Sequence, residues 1–226
     1  MRIVLSIISI LLVIQNLSGQ VAIIQDPDGW TNVRKSPNQE SEVVHKIYEN
    51  QVFWFSSELE DQEEEWVSVH IPSNRYSLGG CDDDYNMIDG YIHRSRLMPL
   101  EEMKEYKGED ILFAYKLVKC DLSQRNVNRI DGKWITKIDG RRFFGTDGPM
   151  PKIEVAEVKV NVFGKDIEIH EVFYSDIFEC TNAFNIYKKG DTFFIYQFNS
   201  DGAGAYEIVW VLNREGLLQR LVGTIF

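Results

Sequence analysis

Three cysteines, Cys81, Cys120 and Cys180, and four histidines, His45, His70, His93 and His170, are the side chains best suited to nucleophilic or metal chemistry. A Cys–His hydrolase needs a thiolate at a helix start and a histidine base later in the chain. Cys81 sits in Gly79-Gly-Cys-Asp-Asp-Asp84, where the carboxylates raise a thiol pKa rather than lower it. Cys120 is followed only by His170, and no histidine follows Cys180. The histidines alternate with apolar residues and never form H-E-x-x-H, and G-x-S-x-G is absent. Paired carboxylates remain open because acids are plentiful. The chain therefore leans towards binding rather than catalysis.

Metal chemistry is no better supported. Asp82, Asp84 and Asn86 match the first three oxygen positions of a calcium loop, but Met87 stands where that loop needs Gly and His93 where it needs Glu. Asp82 and Asp84 are weak candidates only, and the expectation is a solvated acidic loop with no metal and no cofactor. An oxidising compartment would permit one disulfide, with Cys120–Cys180 preferred because both lie in the second half; three free buried thiols are the alternative.

Aromatic residues carry the sharper binding signal. Trp and Tyr combine a large stacking surface with a polar edge, which suits peptide and sugar ligands. Trp30, Trp66, Tyr85 and Tyr91 are candidates in the first half, with Asn32 beside them. In the second half, the loop Asn199-Ser-Asp-Gly-Ala-Gly-Ala205 contains Asp201 and precedes Tyr206 and Trp210, which together could form a ligand mouth at one end of a barrel. This loop lacks the Lys-Ser or Lys-Thr and the following helix of a phosphate loop.

Short β-rich runs must position these groups. Val21–Gln25, Thr31–Lys35, Val43–Ile47, Val52–Ser56, Trp66–Ile71 and Tyr91–His93 are separated by turn-forming or acidic segments, as in a small barrel or sandwich. Val33, Val43, Ile47, Val52, Val67, Val69 and Ile92 are its expected interior. Residues 99–110 read as a charged linker with a helical turn over Glu101–Tyr106. Beyond it, Ile111–Val118, a hairpin of Trp134–Ile138 with Arg141–Gly145 about Asp139-Gly140, and Ile153–Val162 with a bulge at Ala156-Glu157 predict strands. Ile167–Tyr174, Phe193–Phe198, Tyr206–Leu212 and Leu217–Phe226 continue an antiparallel meander, with a helical turn expected at Asp176–Cys180.

Met1-Arg2, the apolar stretch Ile3–Ile14 and small polar residues up to Gly19 have the pattern of a secretory signal peptide, too short to span a bilayer. The expected organisation is a signal peptide at 1–19, a first domain at 20–98, a linker at 99–110 and an all-β domain at 111–226, exported to a periplasmic or extracellular space. No transmembrane segment is expected after signal removal. Residues 20–100 hold 15 acids against 6 bases in a chain of net charge −11, which disfavours nucleic acid and favours cationic partners.

Asp28-Gly-Trp-Thr-Asn-Val-Arg-Lys-Ser-Pro37 with Ser41-Glu-Val-Val44 and Ile47, then Glu65-Trp-Val-Ser-Val69, then Asp89-Gly-Tyr-Ile-His-Arg-Ser-Arg-Leu97 resemble, in order, three motifs of the bacterial SH3 domain. The resemblance covers residues from about Ala22 to Leu97. It implies a mainly β protein with an SH3-like small barrel ahead of a β-meander or barrel-like domain. It also implies a non-catalytic role in recognising cell-wall peptide or another envelope component. An inhibitor or immunity-type protein that binds a basic envelope enzyme, and a cell-wall hydrolase with its site in the second half, are the alternatives. The oligomeric state is left open.

Overall fold

A computed structural model describes residues 21–56, 65–78, 87–199 and 202–223. The expected signal peptide, most of the acidic run Glu58–Glu65, and Cys81, Asp82, Asp84, Tyr85 and Asp201 lie outside the described residues. The described chain is mainly β, in antiparallel sheets.

Seven strands form the first unit: β1 (Val21–Ile24), β2 (Trp30–Arg34), β3 (Val43–Tyr48), β4 (Phe53–Ser56), β5 (Trp66–Pro72), β6 (Met87–His93) and β7 (Leu97–Pro99). They join in the order β3-β2-β6-β5-β4-β1-β7. Alternation along each strand turns Ala22, Ile24, Val33, Ile47, Phe53, Phe55, Val67, Val69, Ile71, Ile92 and Leu97 to one side, where they form a core drawn wholly from this sheet. The sheet therefore curls around its own apolar face. Two expected interior residues lie elsewhere: Val43 is exposed near the free end of β3, and Val52 is buried on the opposite side of the sheet. Gly90 marks the crossing of β2 and β6, where an added Cβ would lie 2.5 Å from the Val33 side chain and 2.7 Å from the Arg34 carbonyl.

The second unit comprises β8 (Ile111–Lys119), β9 (Val127–Ile130), β10 (Trp134–Ile138), β11 (Ile153–Val162), β12 (Lys165–Ile167), β13 (Asn185–Lys189), β14 (Thr192–Asn199), β15 (Tyr206–Asn213) and β16 (Gly216–Gly223). One sheet runs β12-β11-β8, another β13-β14-β15-β16, and β9 and β10 stand as a separate hairpin. The bulge in β11 falls between Val155 and Glu157, at the predicted phase shift. β10 pairs with β9 rather than with Arg141–Gly145, because the chain reverses at Asp131-Gly132; the second Asp-Gly supports only the isolated bridge Ile138–Arg141. Of the expected strand Ile167–Tyr174, only Ile167 is in a strand, and a 3₁₀ turn occupies Glu171–Phe173. Ile177 and Phe178 form isolated bridges to Phe144 and Glu154 in place of the expected helical turn.

The β13–β16 sheet is covered on both faces. Phe193, Ile195, Tyr206, Ile208, Trp210, Leu212 and Val222 face the β8–β11–β12 layer. Tyr187, Phe194, Val209, Val211 and Leu221 face the first unit, where they meet Val21, Ile23, Val52, Trp54 and Leu100. The molecule thus has three layers with the four-stranded sheet in the middle. Residues 99–110 take part in this packing: a 3₁₀ turn spans Leu100–Glu102, Leu100 is buried, and the Tyr106 N–H donates to the Ile186 carbonyl at 2.7 Å.

Polar groups lock the shared face. Gln219 accepts from the Val52 N–H and donates to its carbonyl, both at 2.8 Å, and the Trp54 indole donates to Glu207 Oε1 at 2.7 Å. Burial pushes the Glu207 carboxyl up to about 7, against the opposing pull of the Trp54 bond. A carboxyl raised from 4.5 to about 7 stabilises the fold fully below pH 4.5 and loses that contribution as pH rises through 7. The loss is on the order of 3 kcal/mol. Glu207→Gln should abolish this component, so the stability of the variant relative to the native chain rises between about pH 5 and 8. Denaturant midpoints measured across that range test it, and parallel pH profiles for the two proteins would rule out Glu207 as the titrating group.

Candidate functional site

Asp26-Pro-Asp-Gly29 turns the chain between β1 and β2: the Gly29 N–H donates to the Asp26 carbonyl at 3.0 Å, and the Asp28 N–H to the Asp26 carboxylate at 3.0 Å. From that turn β2 emerges with Thr31 and Val33 buried, so Trp30, Asn32 and Arg34 point outward. On β5, Val67 and Val69 face the core, which leaves Trp66 outward opposite His93 of β6. The two rings meet edge to face at 5.6 Å.

These outward residues line a groove of about 400 Å³ together with Asp26, Asp28, Gln39, Ser95 and Arg96. Arg96 pairs with Asp26 at 3.2 Å, where the carboxylate is nearly covered. Arg34 Nη1 donates to the Ser41 carbonyl at 2.7 Å, which fastens the β2–β3 connection alongside. His93 Nδ1 caps the 3₁₀ turn Arg94–Arg96 by accepting from the Ser95 N–H at 3.3 Å. Lys46 of β3 stacks its ammonium 3.7 Å from the centre of the Trp30 ring, across the β2–β3 pair. The groove thus presents two partly exposed indoles, a neutral amide and charges of both signs.

Trp30, Asn32 and Trp66, candidates by residue type, lie together along this groove. Tyr91 shares their outward face, one rung from His93, but lies outside the groove lining. Tyr206 and Trp210 do not form a mouth. Both are fully buried in the core beneath the four-stranded sheet, the Tyr206 hydroxyl donating to the Phe178 carbonyl at 2.9 Å and the Trp210 indole to the Tyr115 hydroxyl at 2.8 Å. No ligand reaches them without opening that core. Asp26, Arg34, His93 and Arg96 were not singled out in the sequence as ligand groups. For Arg34 the signal was present, since the alternation that exposes Trp30 and Asn32 exposes it too.

A second cleft of about 530 Å³ lies between the β9–β10 hairpin, the β11 bulge and residues 170–178. Its guanidiniums are committed internally. Arg125 binds Asp139 at 2.6 Å and the Ser175 carbonyl at 2.8 Å, and Arg141 binds the Val172 carbonyl at 3.1 Å and Ser175 Oγ at 2.7 Å. Burial opposes ionisation of Asp139, yet the bonds from Arg125 and the Asn126 N–H hold its carboxyl below the usual range. These charges fasten the 170–178 segment and leave little for a ligand.

The preferred disulfide is not formed. Cys120 and Cys180 are free thiols in different clusters, Cys120 beside Leu122 and Ile135, and Cys180 in the main core with its sulfur 3.0 Å from the Tyr206 hydroxyl. Among the described residues, no group of three or more His, Cys, Asp and Glu is placed to hold a metal ion, and no helix is long and apolar enough to cross a membrane. Comparison with protein-family models, with curated proteins and with solved structures finds no match to the chain.

Burial pushes both described thiols up to about 12, with the Glu154 charge adding to the effect at Cys120. At pH 8 each would be thiolate in only about one molecule in ten thousand. In a Cys81→Ser background, the folded chain should leave a disulfide reagent almost unconsumed, and denaturation should release two thiols. Labelling of either cysteine in the folded state at the unfolded rate would contradict this assignment.

Proposed function

We propose that the chain is an exported, non-catalytic binding protein whose first unit, a bacterial SH3-like barrel, takes cell-wall peptide in the Trp30–Trp66 groove. The observation that carries this reading is the convergence of Trp30, Asn32 and Arg34 from β2 with Trp66 and His93 from the β5–β6 pair around one groove of about 400 Å³. That volume lies within the range of small-ligand sites, about 300–1,000 Å³, and suits a peptide of a few residues. The indoles offer flat apolar walls, and the Asn32 amide can donate to and accept from a peptide bond. Asp28 is matched to an amine and Arg34 to a carboxylate, the two charged groups that a short peptide brings together. Buried thiols and internally committed guanidiniums elsewhere favour binding over turnover.

The acid excess of residues 20–100 supports a second reading, in which a basic envelope protein is the partner. Salt separates the two, since a contact dominated by net charge weakens steeply as ionic strength rises.

Retention on purified peptidoglycan, followed by titration with soluble wall peptides, tests the first reading. Trp30→Ala and Trp66→Ala should each weaken binding by about tenfold or more, as loss of an aromatic anchor does, with unchanged circular dichroism. Absence of wild-type retention at low salt would refute it.

A further inference from the structure

Two exposed surfaces on different units of this chain are complementary in charge, apolar content and open backbone. The first is the β9–β10 hairpin. Its inner face, Val127, Ile135 and Ile138, packs on Leu122 and Phe178, while the directly opposed pair Ile130 and Trp134 faces outward. Ile130 is 57% exposed and Trp134 44%, and Met150, two residues beyond the Gly148 that underlies the Trp134 ring, is 45% exposed. Residues 125–142 hold six bases against two acids in a chain of net charge −11. Among the described residues, Arg129, Lys133 and Lys137 form no ion pair; Lys133 instead lies 4.4 Å from the centre of the Trp134 ring. Among the described residues, no strand lies beside the outer edge of β9.

The second surface is β3, at the outer edge of the seven-stranded sheet. Val43, Val44 and Tyr48 are 42%, 39% and 58% exposed there. Glu40 and Glu42 flank them at one end, while Glu49 at the other pairs with Lys189 at 3.2 Å; Glu42 meets Lys35 only at 3.6 Å with both side chains 69% exposed, a pairing of little worth. Lys46, the base on this strand, is drawn over Trp30. Long apolar strands with an unpaired edge are pairing surfaces unless something blunts them, and aliphatic or aromatic side chains grouped at such an edge mark contact sites.

We propose that the chain associates with a second copy of itself, head to tail, with the β9–β10 hairpin of one copy against the β3 edge of the next. Within one copy both surfaces stay exposed, so the contact is made between copies. Pairing β9 with β3 would satisfy backbone groups on both edges. With Ile130 and Trp134 laid on the side of Val43 and Tyr48, which oppose the outward Arg34 and Trp30 across the β2–β3 pair, two otherwise solvated apolar clusters would cover each other. Arg129 and Lys133 then meet the Glu40–Glu42 end, which steers encounter and sets orientation. An anionic lipid surface would match the hairpin alone, but it would repel the acidic first unit. Because the two patches differ, the contact is heterologous and propagates unless it closes into a ring. Val43, Lys46 and Tyr48 pair across the β2–β3 ladder with Arg34, Asn32 and Trp30 of the groove wall, so the independence of this proposal from the groove reading rests on the hairpin, none of whose residues lines the groove.

Sedimentation of the purified chain between about 1 and 100 μM, the range a modest interface populates, provides the test. The average mass of the wild type should rise with concentration and fall with added salt. Trp134→Lys removes the donor surface and Val43→Lys the acceptor; each alone should associate at least about tenfold more weakly. Mixed at equal concentration, the two variants retain one intact donor and one intact acceptor, so they should form a 1:1 complex that grows no further. Both substitutions are at exposed positions, and circular dichroism checks that folding is retained. A wild type that stays monomeric throughout at low salt overturns the proposal, as does a Trp134→Lys chain that associates like the wild type. A monomer that floats with phosphatidylserine vesicles through Trp134 also overturns it and reassigns the hairpin to membranes. Trp134→Lys should leave groove binding intact, so failure of self-association and failure of peptide binding can be told apart.

Discussion

The two-sided burial of the β13–β16 sheet is the constraint on which the rest of the structure depends. An antiparallel sheet ordinarily keeps one face in water and alternates apolar with polar residues. β15 cannot do so, because both of its faces are covered, and Tyr206 to Leu212 are buried without a break. Any polar group placed there loses water and must find a partner within the protein, since an unmade hydrogen bond costs about 1–3 kcal/mol. Glu207 meets that demand with the Trp54 indole and by staying protonated to higher pH than an ordinary carboxyl. Gln219 meets it with both backbone groups of Val52. The first unit is therefore bound to the central sheet by directional contacts as well as by apolar area, and its orientation is defined.

The other face of the same sheet follows the same logic. Arg220 is fully buried on β16, paired with Asp176 at 2.6 Å and donating to the Tyr76 carbonyl at 3.1 Å. Burial pushes the Asp176 carboxyl up against the pull of Arg220 and Arg141. Removing one partner of such a pair leaves an uncompensated buried charge, at a cost of about 3–5 kcal/mol, so the ion pair is best understood as a constraint on geometry. It ties a loop of the first unit, the edge strand of the central sheet and the 170–178 segment to one point. The Arg220 N–H donates to the Arg75 carbonyl at 3.2 Å, so the same loop covers the β16 edge and protects it from pairing with another chain. Among the described residues, β3 has no such cover.

Much of this fold was legible in the chain. The strands with clear β-branched or aromatic alternation lie close to where periodicity put them, and the β11 bulge sits at its phase shift. The elements that were missed have weak patterns. β9 has apolar residues only at its ends, Val127 and Ile130, and β13 is Asn-Ile-Tyr-Lys-Lys. With β9 unseen, the hairpin was assigned to the wrong Asp-Gly turn. Trp210 and Tyr206 could not be told from ligand aromatics by type, because the same rings serve a core and a binding face. Glu207 interrupts the apolar run from Tyr206 to Leu212, which hides a strand covered on both faces. Within the groove, Trp30 and Trp66 were legible by ring type and Asn32 only as their neighbour, whereas the apposition of Trp66 and His93 depends on β5–β6 register across a long connection, and strand periodicity does not encode it.

The same register explains why the groove lies where it does. Trp54, Ser56, Trp66, Ser68, His70, Asp89, Tyr91 and His93 all belong to the outward face of β4, β5 and β6. At one end of that face Trp54 is drawn under the central sheet by Glu207, while His70 bridges Ser56 and Asp89 at 3.0 and 2.8 Å beside it. At the other end, Trp66 and His93 have no layer above them among the described residues and meet Trp30 and Asn32 from β2. One surface thus does two jobs, separated by a few rungs of the ladder. Contact with the central sheet holds the first unit fixed along one part of its outer face and leaves the aromatic part open, on strands whose inner sides are locked in the core. Groups held on rigid strands lose less freedom on capturing a ligand than groups on loops do. That rigidity supports the proposed reading, in which a shallow groove with two indoles and a few charges holds a peptide.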